Sequence, residues 1–219
     1  MAIRAMLNFG FTKLRIVSDK DFAQDRQCNL AAGEYSHLLE YFETFPTLKS
    51  AISDMNQVYA LSARSRHMST LSSRIQHIPV RYTIKEAFVF GCEKNGLSND
   101  ELTLCSHTIQ LPTSHICSSM NLSHAVAVVC YQISQTTLQH IDKHTHSSRD
   151  YEIQDRIQRN ETEILMNFLE TALDERNYFR EQHKKLNMLQ TLRVILDKAQ
   201  LSQQEYRSLL GALRSLATR

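Results

Sequence analysis

Five short segments rich in apolar residues recur through the first half of the chain and predict β-strands. They are residues 14–17, 42–45, 58–61, 87–90 and 108–111. Helical spacing of apolar positions predicts short helices over 2–9 and 48–55 and a long helix over 119–139. Continuous apolar strands are typical of parallel sheets, which are covered on both faces. The alternation of strands and helices therefore predicts an α/β domain around a mainly parallel sheet.

The pattern changes after His140. Residues 141–150 are polar and predict a linker, and residues 151–219 carry only helical spacing. We therefore divide the chain into an α/β domain over 1–140, the linker, and an all-helical extension over 151–219. About 70 residues bury three apolar stripes poorly by themselves, so we expect the extension to pack on the α/β domain or on a partner subunit.

Two capping boxes predict where helices begin. In each, a serine accepts a hydrogen bond from the backbone three residues later, and a glutamate there reaches back to the serine. The pairs are Ser98 with Glu101 and Ser202 with Glu205.

The composition is that of a folded protein. Of 219 residues, 42% are hydrophobic, the formal net charge is +2, and there are only 5 Gly and 3 Pro, which excludes disordered and collagen-like classes. Because no apolar run reaches membrane-spanning length and no signal peptide is visible, we expect a cytoplasmic protein without membrane contact. We expect the five cysteines to be reduced, small core residues.

Charge is unevenly distributed along the chain. Residues 55–85 hold five Lys or Arg and no acid, residues 150–175 hold eight acids, and residues 176–219 hold nine bases. Basic zones neutralise phosphates in nucleic-acid complexes, although either zone alone is also consistent with an ordinary solvated surface. Within the first zone, Arg64, Arg66 and Arg74 are the candidate RNA-binding residues.

Four ordered motifs carry a resemblance to a known family. They are RAM at 4–6 followed by FGF at 9–11, LSARSR at 61–66, FVFGCEKNGLS at 88–98, and IQLP at 109–112 followed by SSMNLSHAVA at 118–127. The chain resembles the SPOUT superfamily of RNA methyltransferases in its TrmH-like branch, and its C-terminal helices look most like those of tRNA ribose 2′-O-methyltransferases.

This resemblance implies an α/β-knot fold with a deep trefoil knot, a homodimer, and S-adenosylmethionine as the cofactor. It implies methyl transfer to a ribose 2′-hydroxyl of tRNA, at an anticodon-loop pyrimidine, without a metal. Two alternatives stay open: the same chemistry on ribosomal RNA, and a non-catalytic RNA-binding protein that kept the fold.

The resemblance also assigns site residues. Those for the cofactor are Leu61, Ser62, Ala63, Gly91, Glu93, Gly96, Ile109, Leu111, Ser118, Ser119 and Met120. Ile109 and Leu111 would form an apolar wall for the adenine, and Glu93 could instead fix its loop or contact a partner subunit. The catalytic candidates are Arg4, Ser119 and Asn121. Arg4 would bind the substrate phosphate and stabilise the developing alkoxide. A guanidinium is a poor general base because its high pKa leaves it already protonated.

Each of these residues has a simpler interpretation. Gly91 and Gly96 could serve ordinary turns, Arg4 could be a surface side chain, and Ser119 or Asn121 could only cap the long helix. The pairs Cys105/His107 and His115/Cys117 have the wrong spacing for common zinc sites. A solvated loop is the simpler interpretation of His140, His144 and His146.

The chain departs from the family at its start. Relatives place a strand and an Asn-x-Gly turn before the arginine helix, whereas here that helix begins at Met1. We therefore expect the first strand to be missing, and an internal Met taken as the gene start is the interpretation we favour. An unfilled strand position would expose unpaired backbone groups.

Overall fold

The computed structural model describes residues 2–19, 30, 33, 36–37, 41–63, 71–75, 84–114, 116–117, 119–141, 155–179 and 181–217. Within them, the strands are β1 (Leu14–Val17), β2 (Phe42–Phe45), β3 (Gln57–Leu61), β4 (Leu71–Arg74), β5 (Glu86–Phe90) and β6 (His107–Gln110). The helices are α1 (Ala2–Leu7), α2 (Leu48–Ala51), α3 (Asn99–Thr103), α4 (Leu122–Ile141), α5 (Arg159–Glu175), α6 (Gln182–Ala199) and α7 (Gln203–Ala217).

All described strand pairs are parallel, which confirms the predicted α/β class. Four strands form one sheet in the order β4-β6-β3-β5, and β1 pairs with β2 in a separate two-stranded sheet. The register places Leu61 of β3 beside Phe90 of β5 and Ile109 of β6. The carboxyl ends of these three strands are therefore level with one another.

Helices cover both faces of the larger sheet, as continuous apolar strands require. On one face, Val129 and Ile133 of α4 pack on Tyr59 and Ile109. On the other face, Leu48 of α2 and residues of α3 pack around Val58, Ala60 and Cys105. Helix α1 lies against the first turns of α4, where Met6, Val126 and Cys130 share a cluster with Phe42 of β2 and Phe90 of β5. This cluster connects the two sheets.

Helices α5, α6 and α7 form a C-terminal helical unit with its own small core. Leu165 of α5 is fully buried and packs with Ile157, Tyr206 and Leu210. The Ser202–Glu205 capping box opens α7 as predicted, with Ser202 N donating to Glu205 Oε2 over 2.8 Å and Glu205 N donating to Ser202 Oγ over 3.2 Å.

The helical unit docks on the sheet through one buried arginine. The Arg159 side chain is 4% exposed and pairs with Asp197 of α6 over 2.6 Å. Its guanidinium also donates to Leu104 O over 2.8 Å and to Ser106 Oγ over 3.3 Å, and Arg159 N donates to Met55 O over 2.8 Å. This confirms that the helices pack on the α/β domain, and it supplies the partners that a buried charge needs.

Asn56 makes a second anchor between the same two parts. Its Nδ2 donates to Arg156 O over 2.8 Å and to Ile157 O over 3.2 Å, while its Oδ1 accepts from Lys85 N over 3.0 Å. Met55, Asn56, Lys85 and residues 104–106 all lie just before β3, β5 and β6. The helical unit is therefore held at the amino edge of the sheet.

Ion pairs connect the acidic and basic blocks of the C-terminal sequence. Lys185 of α6 contacts Glu170 over 2.8 Å and Asp174 over 2.6 Å, both on α5. Glu163 accepts from Arg193 of α6 and from Lys49 of α2. Burial alone would raise the pKa of Glu163, but the hydrogen bonds from these two cations hold it below its usual value. Two bases of the zone after residue 176, Lys185 and Arg193, therefore face acids of α5.

Some element predictions need correction. The helix expected over 48–55 ends at Ala51, where Ile52 closes the turn. Strand β4 was not predicted, because its sequence LSSR has one apolar residue. Cys105 and Cys130 are buried as expected, whereas Cys92 and Cys117 are exposed; Cys28 lies outside the described residues. No helix in the described part of the chain has both the length and the apolar character needed to cross a membrane.

The Arg15–Asp54 pair should make stability depend on pH. Arg15 of β1 donates hydrogen bonds to both carboxylate oxygens of Asp54, a residue that follows α2. The hydrogen bonding from Arg15 lowers the pKa of Asp54 to about 2. Stability from this pair is present above the carboxyl's unfolded pKa and is lost as pH falls from about 4 to about 2. We expect wild type to lose about 1 kcal/mol more than Asp54→Asn across that range, since the pair is partly solvated. Urea unfolding at several pH values measures this, with exposed Asp19→Asn as control; equal losses in all three proteins contradict the assignment.

The thiols should separate by reactivity. Burial raises the pKa of Cys105 to about 12 and that of Cys130 to about 11, so both are protonated and covered at neutral pH. In a Cys28→Ser background, we expect an aromatic disulfide reagent to modify two thiols rapidly in the folded chain and two more only after denaturant is added. Four equally fast thiols would contradict the packing of β6 and α4.

Candidate active site

The candidate site is built on the level carboxyl ends of β3, β5 and β6. Ser62, Gly91 and Leu111 lie just beyond those ends, at the edge where open parallel sheets bind ligands. Ser62 N donates to Ile109 O over 3.0 Å, and Gln110 Nε2 donates to Ala63 O over 3.3 Å. These bonds continue the β3–β6 contact beyond the strands. They hold the turn after β3 beside the end of β6.

The loop after β5 closes on its own backbone. A Cβ atom added to Gly91 would lie 2.2 Å from Gly96 C and 2.3 Å from Leu97 N, so only glycine fits there. Gly96 has φ +68°, a conformation that L side chains rarely adopt, and its N–H donates to Cys92 O over 2.8 Å. Both glycines are therefore required by the conformation of this loop.

A side-chain hydrogen bond joins this loop to the start of α4. Asn121 Nδ2 donates to Glu93 Oε1, and Asn121 Oδ1 accepts from Ser123 N over 2.9 Å and from Ser123 Oγ over 2.7 Å. Asn121 therefore caps α4, which explains why that helix begins at Leu122 rather than at the predicted residue 119. Glu93 holds the loop in place through Asn121, one of the roles that the sequence left open for it.

The remaining residues predicted from the sequence differ in how far their side chains are exposed at the site. Leu111 and Met120 are half-buried and Ser119 is exposed, so all three offer surface to a ligand. Ile109 is fully buried among Tyr59, Ile75 and Val129, so its side chain lies in the core beneath the site and not on its surface. Ser118, Arg64 and Arg66 lie outside the described residues, and only the backbone of Arg74 is described, in β4.

Arg4 lies on a helix that packs against the start of α4. It is exposed on α1, while its neighbours Ile3 and Met6 pack against Leu122 and Val126 of α4. The helix that carries Arg4 therefore contacts the first turns of the helix that Asn121 caps. Hydrogen bonds thus join the turn at 61–63 to residues 109–110 and the 91–96 loop to residue 121. The pairing of β3 with β5 brings these two groups to one sheet edge, and α1 is added by packing.

Sequence reasoning missed Gln110, whose side-chain amide ties residue 63 to β6. A polar residue between the apolar Ile109 and Leu111, at the end of a buried strand, was the available signal. It also missed Ser123, which completes the cap on Asn121.

The residues present fit a nucleoside-containing cofactor. Gly91 lets the 91–96 loop close on its own backbone at the sheet edge, and the half-buried Leu111 and Met120 provide apolar surface. No group of three potential metal ligands occurs among the residues that the structure describes. A separate cavity of about 210 Å³ lies between α2 and α5, away from this edge, with Lys49, Leu104 and Glu163 in its walls.

Comparison with known proteins agrees with this geometry. The SpoU rRNA Methylase family matches residues 1–131. The chain is 28% identical over 229 residues to the tRNA (cytidine/uridine-2′-O-)-methyltransferase TrmJ of Pectobacterium atrosepticum, covering 97% of this chain and 88% of that protein. It is 35% identical over 137 residues to the tRNA (cytidine-2′-O-)-methyltransferase TrmJ of Methanocaldococcus jannaschii, where the match covers 59% of each.

Among solved structures, TrmJ from Z. mobilis superposes with a TM-score of 0.79 at 29% identity, covering 98% of this chain and 91% of that one. The match includes the three C-terminal helices as well as the sheet. Because the family match spans more than half of the sequence and the fold agrees over nearly all of it, the chain belongs to the SpoU methylase family of SPOUT methyltransferases.

Proposed function

We propose that this protein transfers a methyl group from S-adenosylmethionine to a ribose 2′-hydroxyl of tRNA, at a pyrimidine of the anticodon loop. The observation that carries the proposal is that the turns at 61–63, 91–96 and 109–111 share one sheet edge, where Glu93 bonds to Asn121 at the start of α4. The relatives that align over nearly the whole chain are named tRNA (cytidine/uridine-2′-O-)-methyltransferases.

The proposed chemistry asks the protein mainly to position two reactants. The bound cofactor supplies a methyl group already activated by a positive sulfur. Backbone groups of Ser62, Gly91 and Leu111 would hydrogen-bond the polar groups of the cofactor. The half-buried side chains of Leu111 and Met120 would pack against its adenine. Alignment of the two reacting atoms then supplies a large part of the rate enhancement.

Arg4 is the proposed catalytic residue. A guanidinium carries a delocalised positive charge, so that of Arg4 would bind the phosphate beside the target ribose and stabilise negative charge growing on the 2′-oxygen. Ser119 is exposed beside the cap and would bind the substrate or the cofactor tail. Asn121 already caps α4 and would contribute by holding that corner in place.

Several structural expectations belong to the same proposal. They are the trefoil knot, the homodimer, the division into 1–140, 141–150 and 151–219, and a cytoplasmic location. Arg64, Arg66 and Arg74 would bind RNA phosphates, since the zone 55–85 has no acids to neutralise them. The later basic zone is a weaker candidate, because Lys185 and Arg193 pair with acids of α5.

Methylation of ribosomal RNA is the second candidate, and the rRNA in the description of the matched family favours it. Mapping 2′-O-methylated nucleotides in tRNA and rRNA from a gene-deletion strain separates the two. Loss of a modification in the tRNA anticodon loop supports our proposal, and loss confined to rRNA replaces it. A chain that binds no S-adenosylmethionine by calorimetry would indicate a non-catalytic RNA-binding protein.

Gly91→Ala should lose cofactor binding. The added methyl group would collide with the backbone of Gly96 and Leu97, so the 91–96 loop must change its conformation. We expect calorimetric affinity for S-adenosylmethionine to fall about tenfold or more, equivalent to about 1.4 kcal/mol.

Gly211→Ala on α7 is the matched control, because nothing lies within 4 Å of its added Cβ. It should bind normally and gain about 0.5–1 kcal/mol of stability from its higher helix propensity. A folded Gly91→Ala protein with parental affinity would contradict the assignment of this loop.

Arg4→Ala should separate catalysis from cofactor binding. We expect methyl transfer to tRNA to fall about a hundredfold or more, because charge stabilisation in the transition state is lost. Cofactor affinity should stay within a few-fold. Lys13→Ala, which removes an exposed cation close to α1, should retain most of the activity. Equal loss of methyl transfer and cofactor affinity in Arg4→Ala would refute the role of Arg4.

A further inference from the structure

The C-terminal helical unit touches the α/β domain at the end of the sheet opposite to the candidate site. Strand β6 has only four residues, so about 10 Å separates the Cα atoms at its two ends. Arg159 bonds to residues 104 and 106 just before β6, and residues 109 and 110 at the other end hold the turn at 62–63. One short strand therefore connects the docking contact to a turn of the candidate site.

Ser106 is the central residue of this connection. Its Oγ accepts from Arg159 over 3.3 Å and from Val58 N over 3.2 Å, and Ser106 N donates to Val58 O over 2.9 Å. The residue is 2% exposed, so neither bond can be replaced by water without opening the structure. Arg159 thereby stabilises the alignment of β6 with β3 where the two strands begin.

At the other end, the same alignment sets the 61–63 turn. Ser62 N and Ala63 O each bond to β6, to Ile109 O and to the Gln110 side chain. A shift of β6 along or away from β3 would lengthen both bonds together. The rest of the strand offers no flexible segment to absorb such a shift, because Ile109 is fully buried and packed under α4.

From these contacts, we propose that Arg159 is a positioning residue for the 61–63 turn, acting through Ser106 and β6. The helical unit then does more than extend the protein: its docking determines how well this turn is ordered. Describing the turn as part of a cofactor site rests on the proposed function, whereas the coupling rests on the contacts alone. By linkage, a partner that tightens the docking would also raise cofactor affinity.

Hydrogen exchange on the full chain without ligand tests the coupling directly. We expect Ser106→Ala and the double variant Arg159→Met/Asp197→Leu to exchange the Ser62 amide about fivefold faster or more. The double variant replaces both charges, because a single change would leave one of them buried and unpaired. Exchange within α7, which makes no bond to Ser106, should not change in Ser106→Ala.

Ser53→Ala is the matched control for Ser106→Ala. Ser53 also lies at the docking surface, but its hydroxyl donates only to Ser50 O of α2, and its carbonyl still accepts from Asn160 N. We expect its Ser62 exchange to stay within twofold of the parent. Calorimetry with S-adenosylmethionine should show affinity reduced about threefold or more in Ser106→Ala and unchanged in Ser53→Ala.

The outcomes separate the two proposals. Faster Ser62 exchange with weaker cofactor binding supports both. Faster exchange in a protein whose parent binds no cofactor supports the coupling and overturns the proposed function. Ser62 exchange that matches the control, while the melting temperature falls, overturns the coupling and leaves Arg159 a purely structural residue.

Discussion

The docking of the C-terminal helical unit on the sheet depends on the buried guanidinium of Arg159, which forms hydrogen bonds to both parts. Removing a charge from water costs several kcal/mol unless good hydrogen bonds replace the solvent. Arg159 meets that condition with a carboxylate on α6 and two oxygens before β6. Because those partners come from both the helical unit and the sheet, the charge is satisfied only when the two are docked. A single side chain therefore makes the packing of α5 on the sheet specific in position as well as favourable.

The candidate site follows from a different constraint, the level ends of three parallel strands. Parallel pairing with this register places three connecting turns at one edge, and Gly91 lets one of them fold against its own backbone. The Glu93–Asn121 bond then joins that turn to α4. These features lie far apart in the sequence, and the sheet alone brings them together.

Local signals in the sequence were sufficient for much of this. Both serine–glutamate capping boxes form as predicted, because each depends on residues three positions apart. Strands β1, β2 and β5 match their predicted bounds to within one residue, since their apolar runs end at Pro or Gly or pass into polar residues. The glycines of the 91–96 loop were identified through the family motif, and their close backbone approach agrees with it.

Features set by distant contacts were not predictable in the same way. Strand β4 has a polar sequence and is a strand only because β6 lies beside it. In the sequence, Arg159 is a cation within an acidic stretch. Its burial depends on pairing with Asp197, 38 positions later. The exposure of Cys92 and Cys117 likewise follows from the loops that hold them, since cysteine itself favours the interior.

The pairing between α5 and α6 has a consequence for encounters with a polyanion. Cations already matched by carboxylates release few counterions when RNA arrives, so they add little to long-range attraction. Lys185 and Arg193 would then contribute little to steering RNA toward the helical unit. On the proposed RNA-binding role, the salt dependence of association would come instead from the acid-free zone 55–85, so the α/β domain rather than the helical unit would direct the encounter.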